Sequence, residues 1–233
     1  MAPGRWDQAE TVTGFAAAAP NPVLMTWARA ELARPGVRRV LDLGCGAARN
    51  AGPLAALGAE VVGTDTSAPM LTAACARVNA AGVGGRVRLV RAAMDALPLR
   101  DGSADLIVAH GVWNLARSSA ELRRALAEAA RVARPGVGLF VFTFSRNTLP
   151  AATVPVPGEA FVFTQFAGEP QVFLTEAELV AELAAVGFVP DPLGPLTEYN
   201  RPPPGRIQSG PVIWEGTFRL VGQPRHPSPA PPR

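Results

Sequence analysis

The segment Val40-Leu41-Asp42-Leu43-Gly44-Cys45-Gly46-Ala47-Ala48-Arg49 sets two glycines behind a short apolar run, with a carboxylate just before them. Glycine allows a sharp turn and leaves no Cβ in the way, so a bound group can lie against the main chain. In α/β sheets a strand-to-helix turn of this kind receives nucleotides. Gly-x-Gly alone is a weak signal, because any tight turn can use it. Its surroundings strengthen it. A helical pattern follows, and Asp65 ends the next apolar run roughly twenty residues on, where a carboxylate can accept both hydroxyls of a ribose. Further along, Met94-Asp95-Ala96 follows a third apolar run and His110 a fourth, with Trp113 and Asn114 close behind. Imidazole titrates near neutrality, so His110 reads either as a general base or as a polar residue lining a pocket. Trp113 reads as an aromatic wall able to face a cation, or as core.

These residues need a scaffold, and the hydrophobic pattern supplies one. Short apolar runs at 38–43, 60–64, 86–90, 104–109 and 139–143 predict buried strands. Helical patterns separate them: 50–57; a helix capped by Ser67 with Met70, Leu71, Ala74 and Val78 on one face; and a helix opened by Ser118 and Glu121 that stops at Arg134-Pro135-Gly136. Thr175 with Glu178 opens a later helix ended by Gly187, followed by strands near 188–190 and 212–220. Alternating strands and helices predict an α/β fold, a doubly wound and mostly parallel sheet. Residues 1–36 read as an N-terminal helical cap broken at Pro20-Asn21-Pro22, and 37–221 as one domain. Two irregular insertions interrupt that domain, 145–174 and 191–211. Phe161, Phe163, Phe166 and Phe173 in the first read as a substrate lid or as a satellite cluster; Tyr199 in the second is a candidate acceptor contact. Residues 222–233 are proline-rich and expected to be disordered.

Two cofactor classes use such a loop. A pyrophosphate on the helix N-terminus favours a third glycine and no carboxylate in the loop. Here the third position is Ala48, and Asp42 precedes the first glycine. That carboxylate would repel a pyrophosphate and attract the cationic amino-acid end of S-adenosylmethionine.

The ordered motifs carry a resemblance. Val40 to Gly46 resembles the first motif of class I S-adenosylmethionine-dependent methyltransferases, and Val62-Gly63-Thr64-Asp65-Thr66-Ser67 looks like their second. Met94 to Leu99 and Asp101 to Val108 are similar to the third and fourth, and Arg131 to Gly138 to the turn into strand five. The late helix at 175–190 resembles the small-molecule branch. The resemblance implies a seven-stranded Rossmann-like sheet in the order 3-2-1-4-5-7-6, with strand 7 antiparallel. It implies that Asp42, Gly44 and Gly46 line the methionine moiety, with Arg49 a further contact. Asp65 would hold the ribose and Thr66 pack on the adenine. Met94, Asp95 and Ala96 would flank the adenine, Asp95 accepting its amino group. His110 would lie near the sulfonium. Trp113, Asn114, Phe161, Phe163 and Tyr199 are the candidate acceptor contacts. The expected activity is methyl transfer to a small molecule. A nicotinamide-dependent oxidoreductase and a non-catalytic S-adenosylmethionine-binding regulator are the alternatives.

Composition narrows the partners. The 233 residues carry 22 basic side chains, all arginine, against 19 acidic ones, for a net charge of +3. The arginines are scattered, which speaks for composition bias rather than a nucleic-acid face. Without lysine there is no Schiff base and no Walker-type phosphate loop. Two cysteines, Cys45 and Cys75, and two histidines make a structural metal site or disulfide framework unexpected, and both cysteines read as small buried packers. No apolar run approaches the roughly 20 residues of a membrane helix, and Trp6, Asp7, Glu10 and Thr11 interrupt any leader-like stretch. A cytoplasmic monomer or homodimer is expected.

Overall fold

The computed structural model describes residues 4–164, 168–201 and 210–222. Phe166 and the tail 223–233 lie outside the described residues. The chain opens with a 3-10 turn at Arg5–Asp7, then α1 (Ala9–Ala17) and α2 (Pro22–Leu32). Asn21 caps α2, its side chain accepting from the Leu24 N–H, and Pro22 occupies the first turn, where its missing N–H costs nothing. There follow β1 (Arg39–Leu43), α3 (Ala51–Ala56), β2 (Glu60–Asp65), α4 (Ala68–Ala80), β3 (Val87–Arg91), β4 (Ala104–His110), α5 (Ser119–Val132) and β5 (Ala133–Phe144). The second part of the chain holds β6 (Val162–Phe163), β7 (Gln171–Val172), α6 (Glu176–Ala185), β8 (Phe188–Pro190), β9 (Thr197–Tyr199) and β10 (Ile213–Leu220).

The main sheet runs β3-β2-β1-β4-β5-β10-β8, with β9 also paired to β10. β1 through β5 are mutually parallel, and β10 is antiparallel to β5. This is the expected order with one added strand. The added strand lies in the insertion at 191–211, where β9 covers the first half of β10 and β8 covers the second. β5 also begins earlier than expected, at Ala133. The Arg134-Pro135-Gly136 turn is absorbed as a register shift against β4 rather than separating helix from strand.

Alternation along the central strands sorts side chains to two faces. Val40, Leu106, Val108 and Phe140 pack under α2, α3 and α4, whereas Leu41, Leu43, Ile107, Ala109, Leu139 and Val141 meet α5 and α6. Both faces are covered, which explains near-continuous apolar runs in place of a polar alternation. The phenylalanines of the 145–174 segment join the second of these cores: Phe161 and Phe163 are each 3% exposed and Phe173 is fully buried. Antiparallel pairing of β6 with β7 holds them there.

The N-terminal helices are latched onto the sheet's helices. Arg77 on α4 donates to the carbonyls of Ala16 and Ala18 at 2.9 Å each, satisfying the open end of α1. Ser67 Oγ donates to Asp7 Oδ1 at 2.7 Å and also accepts from the Met70 N–H to cap α4. At the opposite edge Arg219 on β10 joins two buried carboxylates, Glu31 of α2 and Asp191 after β8.

Candidate functional site

A cavity of about 460 Å³ opens at the C-terminal ends of the parallel strands, where ligands bind in such sheets. One end is the turn between β1 and α3. Cys45 N–H donates to the Thr64 carbonyl at 2.9 Å, tying the turn to β2. Gly44 and Gly46 both line the cavity with left-handed backbone, φ +62° and +51°. A Cβ on Gly44 would fall 2.6 Å from Val112 Cγ2. Gly44→Ala is therefore expected to cost about 2 kcal/mol through backbone strain and overlap, read as a lowered melting temperature.

Asp65, at the end of β2, is anchored by the main chain. Oδ2 accepts from the Gly46 N–H at 2.9 Å and Oδ1 from the Ser67 N–H at 2.8 Å. Burial raises its pKa, and those amides work against the rise. The Thr66 amide also faces the carboxylate, whose four acceptor positions still leave room for another donor. Asp42 lies beneath the loop rather than in the cavity wall. It is 1% exposed, accepts the Ala51 N–H at the start of α3, and has one oxygen with no partner. Burial raises its pKa to about 7, with Arg49 opposing and Asp65 adding to the rise.

Arg49 and His110 form the middle of the wall. Arg49 Nη2 donates to His110 Nδ1 at 2.8 Å, and Asn21 Nδ2 lies 3.1 Å from His110 Nε2 and donates to Glu215 Oε2 at 2.6 Å. The ring stacks on Phe142 with centroids 4.1 Å apart. Burial, then the adjacent guanidinium, pushes the His110 pKa down to about 3. A guanidinium can only donate, so Nδ1 must accept, and a second ring proton would break that bond beside a fixed positive charge. Of the two readings open for His110, these surroundings suit the polar wall.

Thr66, Met94 and Asn114 also line the cavity. Besides Asp42, six residues expected near ligand do not. Asp95 is turned outward, Oδ2 accepting from Arg124 Nη2 at 2.9 Å, and Ala96 is likewise outside the wall. The residues after β3 that face the cavity are Ala92, Ala93 and Met94, so the strand exit sits earlier in the sequence than Asp95 requires. Trp113 is 2% exposed within the core, as are Phe161 and Phe163 with their β6–β7 neighbours. Tyr199 on β9 hydrogen-bonds Glu215 behind the cavity and is otherwise exposed. Cys45 is buried, with its thiol pushed upward by desolvation, whereas Cys75 is exposed rather than packed.

Several wall residues carried no local sequence signal. Arg5, Trp6 and Phe15 come from the N-terminal cap, and Phe15 Cδ1 would lie 3.7 Å from a Cβ on Gly46. Trp6 meets Phe15 edge-on at 5.5 Å. Phe142, Phe144 and Gln171 form the other end. Among the described residues no His/Cys/Asp/Glu group suited to a metal occurs, and no helix is long and apolar enough to cross a membrane.

Comparison with known proteins places this geometry in a family. A methyltransferase-domain model matches residues 41–142. A demethylmenaquinone methyltransferase of Mycolicibacterium vanbaalenii is 32% identical over 166 residues, spanning 64% of this chain and 68% of that protein. The chain belongs to the class I S-adenosylmethionine-dependent methyltransferases. Within that family, a ubiquinone/menaquinone biosynthesis C-methyltransferase of Syntrophotalea carbinolica is 39% identical over 123 residues, 52% of this chain and 49% of that protein. The chain thus spans about half the length of the first curated relatives it matches. A methyltransferase structure from Methanosarcina mazei shares the fold, with a TM-score of 0.66 at 19% identity, covering 88% of this chain and 99% of that one.

Proposed function

We propose that this chain transfers a methyl group from S-adenosylmethionine to a small-molecule acceptor. The observation that carries the reading is a single cavity running from the glycine loop and Asp65, past Arg49 and His110, to an aromatic end at Phe142 and Phe144. The residues present fit the cofactor. Gly46 offers bare backbone, Asp65 retains acceptor capacity beyond its main-chain amides, and Asp42 holds a buried oxygen without a partner, which suits a nearby cation.

Asp65 would accept the ribose hydroxyls, with Thr66, Met70 and Met94 against the adenine. Arg49 would pair with the methionine carboxylate, and Asp42 would set a negative field beneath the cationic end. The cofactor supplies a methyl group on a sulfonium, displaced in line by an electron pair of the acceptor. The chain contributes alignment and exclusion of water. His110, neutral and stacked on Phe142, holds Arg49 in place and serves as a positioning residue. Nicotinamide chemistry loses its footing once family membership is added to the buried Asp42. The named relatives act in quinone biosynthesis or on demethylmenaquinone, which supports a small acceptor and leaves its reacting atom open.

Turnover tests the activity. Incubation with methyl-labelled S-adenosylmethionine and a panel of phenols, quinols, amines and thiols is expected to label at least one member. Cofactor binding with no transfer across the panel would favour the regulatory reading. The role of His110 has its own test. The pH–rate profile is expected to lack a step near 6.5, because the folded ring stays neutral down to about pH 3. His110→Gln, whose amide oxygen can accept from Arg49, should keep cofactor affinity within about threefold, while His110→Leu should lose about tenfold by leaving Arg49 unsatisfied. A step near 6.5 that vanishes in His110→Gln would restore the general base.

A further inference from the structure

The aromatic end of the cavity holds two polar groups that the protein itself leaves unanswered. Asn114 is 2% exposed and Gln171 is 6% exposed, and both line the cavity. The carbonyl oxygen of each side chain is buried without a hydrogen-bond partner. Such orphans are rare in folded proteins, because an unsatisfied buried amide forfeits its hydration. Exchanging oxygen and nitrogen in either amide would leave the other end in the same position. The two come from distant parts of the chain. Asn114 sits in the 3-10 turn after β4, and Gln171 is on β7, held by pairing with Phe163. Beside them on β5 are Phe142 and Phe144, also in the wall.

We propose that Asn114 and Gln171 form the recognition pair for the methyl acceptor, and that the acceptor is a flat aromatic ring bearing a hydroxyl or N–H donor. The ring lies against Phe142 and Phe144, where offset or edge contacts favour aromatic faces. Its donor satisfies an amide oxygen that otherwise remains bare. Selectivity follows from the same cost. An analogue without the donor leaves the buried oxygen unpaired and is rejected more strongly than its lost bond alone would require. The proposal rests on the methyltransferase reading, since it assigns the acceptor end of that site.

The test uses the full chain saturated with S-adenosylhomocysteine, and compares binding of 2-naphthol, 2-methoxynaphthalene and naphthalene by calorimetry or ligand-observed NMR. 2-Naphthol is expected to bind at least about tenfold more tightly than either analogue. In the near-isosteric double variant Asn114→Leu/Gln171→Met the preference should fall below about threefold, while S-adenosylhomocysteine affinity stays at the parent value. Should the double variant fail to fold, Gln171→Met alone is expected to cut the preference by half or more. Equal binding of the three probes, no saturable binding by any of them, or a preference that survives in the variant overturns the assignment. Failure of S-adenosylhomocysteine itself to bind would instead overturn the methyltransferase reading.

Discussion

Asp65→Ala is expected to reduce affinity for S-adenosylhomocysteine by at least about a hundredfold, measured by calorimetry. Two losses combine. The carboxylate proposed to hold the ribose hydroxyls disappears, and so do the acceptors for the Gly46 and Ser67 N–H groups. Those bonds set the loop's shape, so the main chain facing the cofactor loosens as well. Asp65→Asn should fall between, because its amide oxygen can serve one N–H while its NH₂ group faces the other. The same loss should lower the stability of the unliganded protein by about 1–3 kcal/mol. An Asp65→Ala protein that melts as the parent does and binds S-adenosylhomocysteine equally well would remove Asp65 from the site.

A second large effect should appear with pH. Asp42 titrates at about 7 in the folded protein, well above its ordinary value, because burial penalises its charge. In the unliganded protein this group holds its proton where the unfolded chain has lost it, so its contribution to stability is present at low pH. That contribution is lost as pH rises from about 4 through about 7. His110 acts oppositely: with its pKa depressed, its contribution is complete above about 6.5 and is lost as pH falls toward 3. Cofactor binding separates the two. A cation above Asp42 favours the carboxylate, so binding below pH 7 must release a proton. Affinity should rise by up to about tenfold per pH unit toward 7 and then level off. Asp42→Asn should flatten the profile and hold affinity near the parent's low-pH value. Proton release measured in two buffers of different ionisation enthalpy provides the check, and a flat parent profile would contradict the account.

Much of the scaffold was legible because burial on both faces leaves plain marks. Leu106 to Ala109 is an unbroken apolar run, Val40 to Leu43 is interrupted only by Asp42, and Ser67, Ser118 and Thr175 each cap a helix as their positions suggest. Gly44, Gly46 and Asp65 were legible for a local reason: the turn, the strand end and the roughly twenty-residue spacing all lie within one βαβ unit. What escaped depended on distant pairing. Asp95 was placed by motif likeness, yet the cavity sees Ala92 to Met94 and Asp95 answers Arg124, which is 29 positions away. Phe161 and Phe163 looked like a lid because nothing local reveals that β6 pairs with β7 and turns them into the core. Asn21 reads only as part of a proline break, yet it caps α2, lies against His110 and donates to Glu215, 194 positions along the chain. Trp6 and Phe15 close the cavity only because Ser67 and Arg77 fasten the N-terminal segment over it.

The glycine loop, Arg49 and Asp65 are assigned to one cofactor, and its direct binding is the measurement closest to that claim. Titration of the full chain with S-adenosylhomocysteine in one cell and NADH in another should give saturable one-site binding for the first and none for the second. Binding of NADH without S-adenosylhomocysteine, or of neither, would contradict the account.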